Sequence, residues 1–171
     1  MASILNVDQI RNAAGTASAT IQSDGTFYPT GGIVQVVQNE MTTRFQISTA
    51  GEKTITGATV SITPKSTNSK ILITTALSSI AYNPATIRFN LYRGSTIVNK
   101  LGHYADGNNW KPFSVNFNYL DSPSTTSQIT YQIKGEIATA GNGVYINYAN
   151  STLFGTDNDA RSTITAMEIA G

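Results

Sequence analysis

The chain contains no cysteine. That excludes disulfides, thiol catalysis and thiolate metal sites together, so stability must come from packing or from association with other chains. Charge is nearly as scarce. Only 12% of the 171 residues are Asp, Glu, Lys or Arg, and the formal net charge is +1. The eleven Lys and Arg are scattered singly, and no run of them could track phosphates, so no nucleic-acid partner is expected. His103 is the one histidine, which rules out a multi-histidine metal site within one chain. No stretch approaches the ~20 apolar residues of a membrane helix, so no membrane insertion is expected. The opening MASILNVDQIRNAAG has neither a basic start nor a continuous apolar centre and does not read as a secretory signal.

What the chain has in quantity is Thr, Ser and Asn: 24, 16 and 15 of them, about a third of all residues. Thr favours strands, while Ser and Asn favour turns and the wet face of a sheet. At this length one domain with an appended segment is expected, burying roughly 70% of its unfolded surface.

Residues 1–32 differ from the rest. Small and polar residues surround isolated apolar anchors at Ile4, Leu5, Val7, Ile10 and Ile21. Ile4, Val7 and Ile10 fit one helical turn, and Leu5 and Val7 fit one side of a strand, so periodicity decides neither. Such a segment cannot form its own core. It is disordered, or it is an extended arm that borrows burial from a neighbour. Ser23–Thr26 reads as a turn, and Pro29-Thr30-Gly31-Gly32 as a flexible joint.

From Ile33 onward short alternating segments follow one another: Ile33–Gln38, Gln46–Ser48, Lys53–Ile62, Lys70–Leu77, Thr86–Arg93, Thr96–Leu101, Val144–Tyr148 and Ser162–Ile169. Lys70–Leu77 is apolar on both faces, as a central or interface strand would be. Gly94-Ser95 reads as a two-residue hairpin turn. The clearest pattern is Lys111–Gly135. There Phe113, Val115, Phe117 and Tyr119 alternate with polar residues, and so do Ile129, Tyr131 and Ile133 beyond the turn formers Asp121–Thr126. This stretch reads as a hairpin covering the core. Short strands without a convincing helix predict an all-β protein, an antiparallel jelly-roll-like β-sandwich head over 33–171 with an extended N-terminal arm over 1–32. An immunoglobulin sandwich fits less well, since its Cys and core Trp spacing is missing.

Three constellations could carry chemistry. His103, Asp106 and Trp110 share the segment HYADGNNW, where an aromatic platform beside hydrogen-bonding groups would suit a sugar ring; the plain alternative is a polar loop whose Trp covers the end of the sandwich. Asp157-Asn158-Asp159 gathers oxygen ligands but lacks the spacing and the downstream Glu of a calcium loop, so a solvated turn is expected. Asn150-Ser151-Thr152 matches a glycosylation pattern, which carries no meaning without a secretory route. The ten acids are scattered and no serine occupies a nucleophile elbow. The expectation is therefore no enzyme, no cofactor and no metal.

Four segments in order resemble small structural and fibre-like virion proteins of tailed bacteriophages, many of them marine or cyanobacterial. They are ILNVDQIRNAAGTASATIQSDG, GGIVQVVQ, VSITPKSTNSKILI, and YLDSPSTTSQITYQIK with the closing STITAMEIAG. The resemblance implies a β-rich virion component, typically homotrimeric, with an N-terminal attachment arm and a C-terminal head. It brings no catalytic residues. Its implied partners are further copies of the chain and a major capsid, tail or baseplate protein, with synthesis in the host cytoplasm and residence in the virion. On this reading Ile4, Leu5, Val7, Ile10 and Ile21 attach the arm, and Ile71, Ile73 and Leu77 on one face of their strand, with Leu72 on the other, provide apolar surface for both the core and a neighbouring subunit. A capsid decoration protein or head fibre is favoured by the short chain. A short tail fibre that touches host surface glycan through His103, Asp106 and Trp110 is the alternative, and a polysaccharide-degrading enzyme is the remote one.

Overall fold

A computed structural model describes residues 7–171 except 22, 24, 26, 83–84, 106–110, 139–142 and 149–159, with the backbone alone for 80, 82, 85, 103–105 and 111. The alternation read above becomes strands, and no helix occurs among the described residues.

The N-terminal segment is an antiparallel sheet of β1 (Gln9–Arg11), β2 (Ala17–Ile21) and β3 (Phe27–Pro29), in that order. Short hairpins suffice to build it, which is why a chain poor in apolar residues still pairs here. At Pro29–Gly32 the joint is a closed turn. The Gly32 amide donates to the Pro29 carbonyl, and the Ala170 amide donates to the Gly32 carbonyl. A Cβ on Gly32 would lie 2.4 Å from Pro29 Cγ, so only glycine fits that turn.

The head contains β4 (Ile33–Met41), β5 (Phe45–Ile47), β6 (Gly51–Ile62), β7 (Lys70–Tyr82), β8 (Ala85–Arg93), β9 (Thr96–Ala105), β10 (Lys111–Val115), β11 (Asn118–Asp121), β12 (Ile129–Ile137), β13 (Gly143–Ile146) and β14 (Ser162–Ile169). Several of these run end to end. β4 and β5 share one column of their sheet, β10 and β11 another against β7, and β13 and β14 a third along the other edge of β7. Counted as columns in chain order, the first sheet runs 1-8-3-6 and the second, β6-β12-β8-β9, runs 2-7-4-5. The pairs 1·8, 2·7, 3·6 and 4·5 are those of one long hairpin wound over itself. That winding is the jelly roll.

This topology corrects the hairpin expected at Lys111–Gly135. Its alternation is right, but its two halves do not pair: β10 and β11 pair with β7, whereas β12 lies between β6 and β8 in the opposite sheet. Residues 122–128 cross from one sheet to the other. Alternation tells which face a residue occupies and is silent about its neighbour. The β8–β9 hairpin at Gly94-Ser95 is present as expected, with Arg93 opposite Thr96.

Between the sheets lies one core. Ile47, Ile71, Ile73, Leu77, Phe117, Val144 and Ile164 come from the first sheet, and Ile55, Val60, Phe89, Leu91, Tyr131 and Ile133 from the second. Gly135 faces this core, where a Cβ would come within 2.4 Å of Ile47 Cδ1, so the gap in the strand's apolar series is filled by the opposite sheet.

Candidate attachment surface and polar clusters

Side chains paired across a ladder share a face, and successive residues alternate between faces. In the arm this puts Ile10, Ala19 and Pro29 in one row and Ile21 and Phe27 in the next on the same side, while Gln9, Thr20 and Tyr28 occupy the other. The arm therefore has one apolar and one polar face. Ile10 and Phe27 are exposed on the apolar face, and Ala19 is buried. Of the expected anchors, Ile10 and Ile21 are brought together, Val7 is exposed just before β1, and Ile4 and Leu5 lie outside the described residues. Phe27 and Pro29 join this face without having been expected there. The turn-forming residues of Ser23–Thr26, flanked in sequence by Ile21 and Phe27, were the signal that could have paired them.

The polar face holds the arm to the head. Tyr28 Oη hydrogen-bonds Ser69 Oγ, and Ser69 Oγ in turn donates to Glu168 Oε1 at 2.6 Å. The fully buried Glu168 carboxylate also accepts from the Lys65 amide at 2.7 Å and from Gln35 Nε2 at 2.5 Å. A buried carboxylate is costly unless donors surround it. Here they come from β4 and from the loop before β7, so the end of the sandwich is fixed where the arm departs.

A second polar cluster sits on the outer face of the second sheet. The Glu52 carboxylate accepts from Asn90 Nδ2 at 2.7 Å and from Tyr92 Oη at 2.8 and 2.9 Å. Lys134 Nζ is 3.6 Å from Glu52 Oε2 and 4.0 Å from the Tyr92 ring centroid. Burial alone would raise the Glu52 carboxyl; the Asn90 and Tyr92 hydrogen bonds and the Lys134 charge outweigh it and hold the group below its ordinary value. The hydrogen bond to Glu52, with burial, pushes the Tyr92 hydroxyl up. Asn90 Oδ1 is the one buried side-chain polar atom without a partner among the described residues. The cluster has no nucleophile paired with a base, and it does not read as a catalytic site.

At the edge where the sheets part, Phe89, Leu101, Gly102, Ser114, Val115 and Asn116 line a cleft of about 240 Å³. Its walls belong to β8, to β9 and to the chain from β10 toward β11. The segment expected to contact glycan connects β9 to β10. His103 is not in a loop, as expected, but in β9 opposite Ile87, because the β8–β9 ladder continues to Ala105. Asp106 and Trp110 lie outside the described residues, as do Asn150–Thr152 and Asp157–Asp159. Among the described residues, no three His, Cys, Asp or Glu side chains gather into a group that could hold a metal.

No protein-family model matches the chain, and no curated protein matches it by sequence. Structural similarity reaches chains of infectious bursal disease virus. The Gx strain structure gives 14% identity and a TM-score of 0.44 over 80% of this chain and 37% of that one. The VP2 subviral particle gives 13% and 0.40 over 80% and 38%. This chain thus spans well under half the length of those proteins. Identity and overlap at this level transfer no function.

Proposed function

We propose that this chain is a structural protein of a tailed-phage virion surface, a capsid decoration protein or head fibre. Its arm holds it to the particle, and its jelly-roll head is displayed outward as a homotrimer. The observation that carries the reading is the arm itself. Its polar face is latched to the head through Tyr28 and Ser69, and its apolar face of Ile10, Ile21 and Phe27 points away with Ile10 and Phe27 exposed. Apolar surface of this kind, on a small sheet that cannot cover both its faces, suits attachment to another protein. The ordered sequence resemblance supplies the particle, with a major capsid protein as the favoured partner. Deleting residues 1–32, or combining Ile10→Lys with Phe27→Lys, should abolish incorporation into particles while leaving a folded head. Full incorporation of the double variant would sink the arm reading.

A second reading is a short tail fibre or receptor-binding protein that recognises host surface glycan. The cleft beside Phe89 and Leu101 favours it, because both walls lead into the segment that carries Asp106 and Trp110. Glycan or cell-surface binding lost in Trp110→Ala would support it. Absence of any glycan binding by the intact chain would remove it.

A further inference from the structure

We infer that the outer face of the first sheet is where a second copy of this chain docks, through an apolar stripe that crosses four strands. The ladders place Val36 beside Met167, Met167 beside Leu72, and Leu72 beside Leu120. One residue thus comes from each of β4, β14, β7 and β11, all on one side. That side faces away from the core, because the flanking Val37, Ala166, Ile71, Ile73 and Tyr119 pack into it. Ile169, two residues beyond Met167, adds a further apolar pair with Ile33. Ile33, Val36 and Leu120 are 59%, 56% and 48% exposed.

Size and charge select the occupant. Strands about 4.8 Å apart and same-face rows about 6.8 Å apart give the stripe with its two flanking rows a plan of roughly 19 by 20 Å. That plan is about 380 Å², about half of the roughly 800 Å² of accessible surface that each partner of a stable pair loses, so a peptide laid along the stripe alone would be too small and the occupant must cover the whole face and its surroundings. A sheet of the same shape does so, packing face to face at about 10 Å. The row on one side of the stripe is Gln38, Thr165, Thr74 and Asn118, all uncharged. On the other side the row holds Ile33, Ile169 and Lys70, the last opposite Ile169 and two residues before Leu72 at the start of β7. An apolar centre with an uncharged polar row on one flank and a single charge, at a strand end, on the other matches a subunit interface, where charge is depleted at the centre. Identical faces paired about a two-fold axis bury stripe against stripe, and about a three-fold axis the part of the stripe nearest the axis meets its own copies. The inference rests on the reading of the head as self-associating and names the surface that does it.

The test is the mass of the full chain in solution by sedimentation velocity. The intact chain should run as an oligomer. Val36→Lys with Leu120→Lys should run as a single chain with its cooperative thermal unfolding retained, and Thr54→Lys, on the outer face of the other sheet, should keep the oligomer. Because the protein has no cysteine, a second measurement avoids any loss of folding. Leu120→Cys should cross-link between copies under mild oxidation, and Thr54→Cys should not. An oligomer that survives the double substitution without Leu120→Cys cross-linking overturns the surface and leaves self-association standing. An intact chain that runs as a single copy overturns both. Loss of the oligomer in Phe27→Lys but not in the stripe variant assigns the contact to the arm and overturns the inference. Loss of particle incorporation in the stripe variant with unchanged mass assigns the stripe to a virion protein, and overturns it too.

Discussion

Tyr131 and Asp121 stand on opposite sheets, yet Tyr131 Oη donates a 2.6 Å hydrogen bond to Asp121 Oδ2. Arg93 Nη1 reaches the same carboxylate, at 2.9 Å from each oxygen. Asp121 ends β11 and Tyr131 lies near the start of β12, so the contact closes the crossing that carries the chain from one sheet to the other. It is what stands in place of a hairpin at Lys111–Gly135.

Tyr131→Phe removes the donor and leaves Asp121 to Arg93 alone. A hydrogen bond to a charged group contributes about 1.5–3 kcal/mol, and the loss should appear as a lower urea midpoint with an unchanged slope. Burial first, and then the bond to Asp121, push the Tyr131 hydroxyl above its ordinary value. A raised folded value means that this stability is fully present below about pH 10, where the unfolded chain titrates, and is lost as pH rises beyond it. The alkaline fall in stability should therefore be shallower in Tyr131→Phe. Equal alkaline slopes in the two proteins would remove Tyr131 as its source.

Glu52→Gln tests the cluster on the outer face of the second sheet at the opposite end of the pH scale. The Glu52 carboxyl lies below its ordinary value because its hydrogen bonds and Lys134 outweigh burial. A depressed folded value gives stability that is present above about pH 4.3 and lost as pH falls through the folded value. The carboxylate is partly exposed, so the gap between wild type and variant should stay under about 1 kcal/mol at neutral pH and close in acid. Unfolding curves between pH 7 and 3 measure it. A gap that stays constant over that range would mean that the carboxylate charge contributes nothing.

Much of the fold was legible because alternation reports burial directly. Ile87, Phe89 and Leu91 were assigned to one face of their strand, and all three are buried in the core. Pairing was not legible where strands close in sequence are far apart in the sheets, as at Val115 and Tyr131. The apolar stripe shows the same limit more sharply. Leu72 was visible as an apolar residue on the opposite face from Ile71 and Ile73, but which face is outward, and the alignment of Val36, Met167 and Leu120 with it, follow only from three ladder registers that no local pattern encodes. On the arm, Ile10 and Ile21 stood out as isolated apolar residues. Their common face needed the β1–β2–β3 pairing, and Phe27 was hidden behind the turn.

Asn147 offers the most demanding test, because it closes the seam where β13 gives way to β14 and β4 to β5. Its Nδ2 donates to the Met41 carbonyl at 2.8 Å and the Thr43 carbonyl at 3.2 Å, its Oδ1 accepts from Ser162 Oγ, and its amide donates to the Ser78 carbonyl at 3.0 Å. The residue is fully buried with φ of 55°, a backbone region that Asn tolerates better than most side chains. Asn147→Ala should cost about 3–4 kcal/mol, combining orphaned buried partners with left-handed strain. Asn147→Gly loses the same hydrogen bonds but relieves the backbone, so it should be less damaging by about 1 kcal/mol. Paired denaturant curves separate the two contributions. If Gly is no better than Ala, the backbone at this seam is not strained, and the whole cost belongs to the carbonyls of Met41 and Thr43 and the hydroxyl of Ser162.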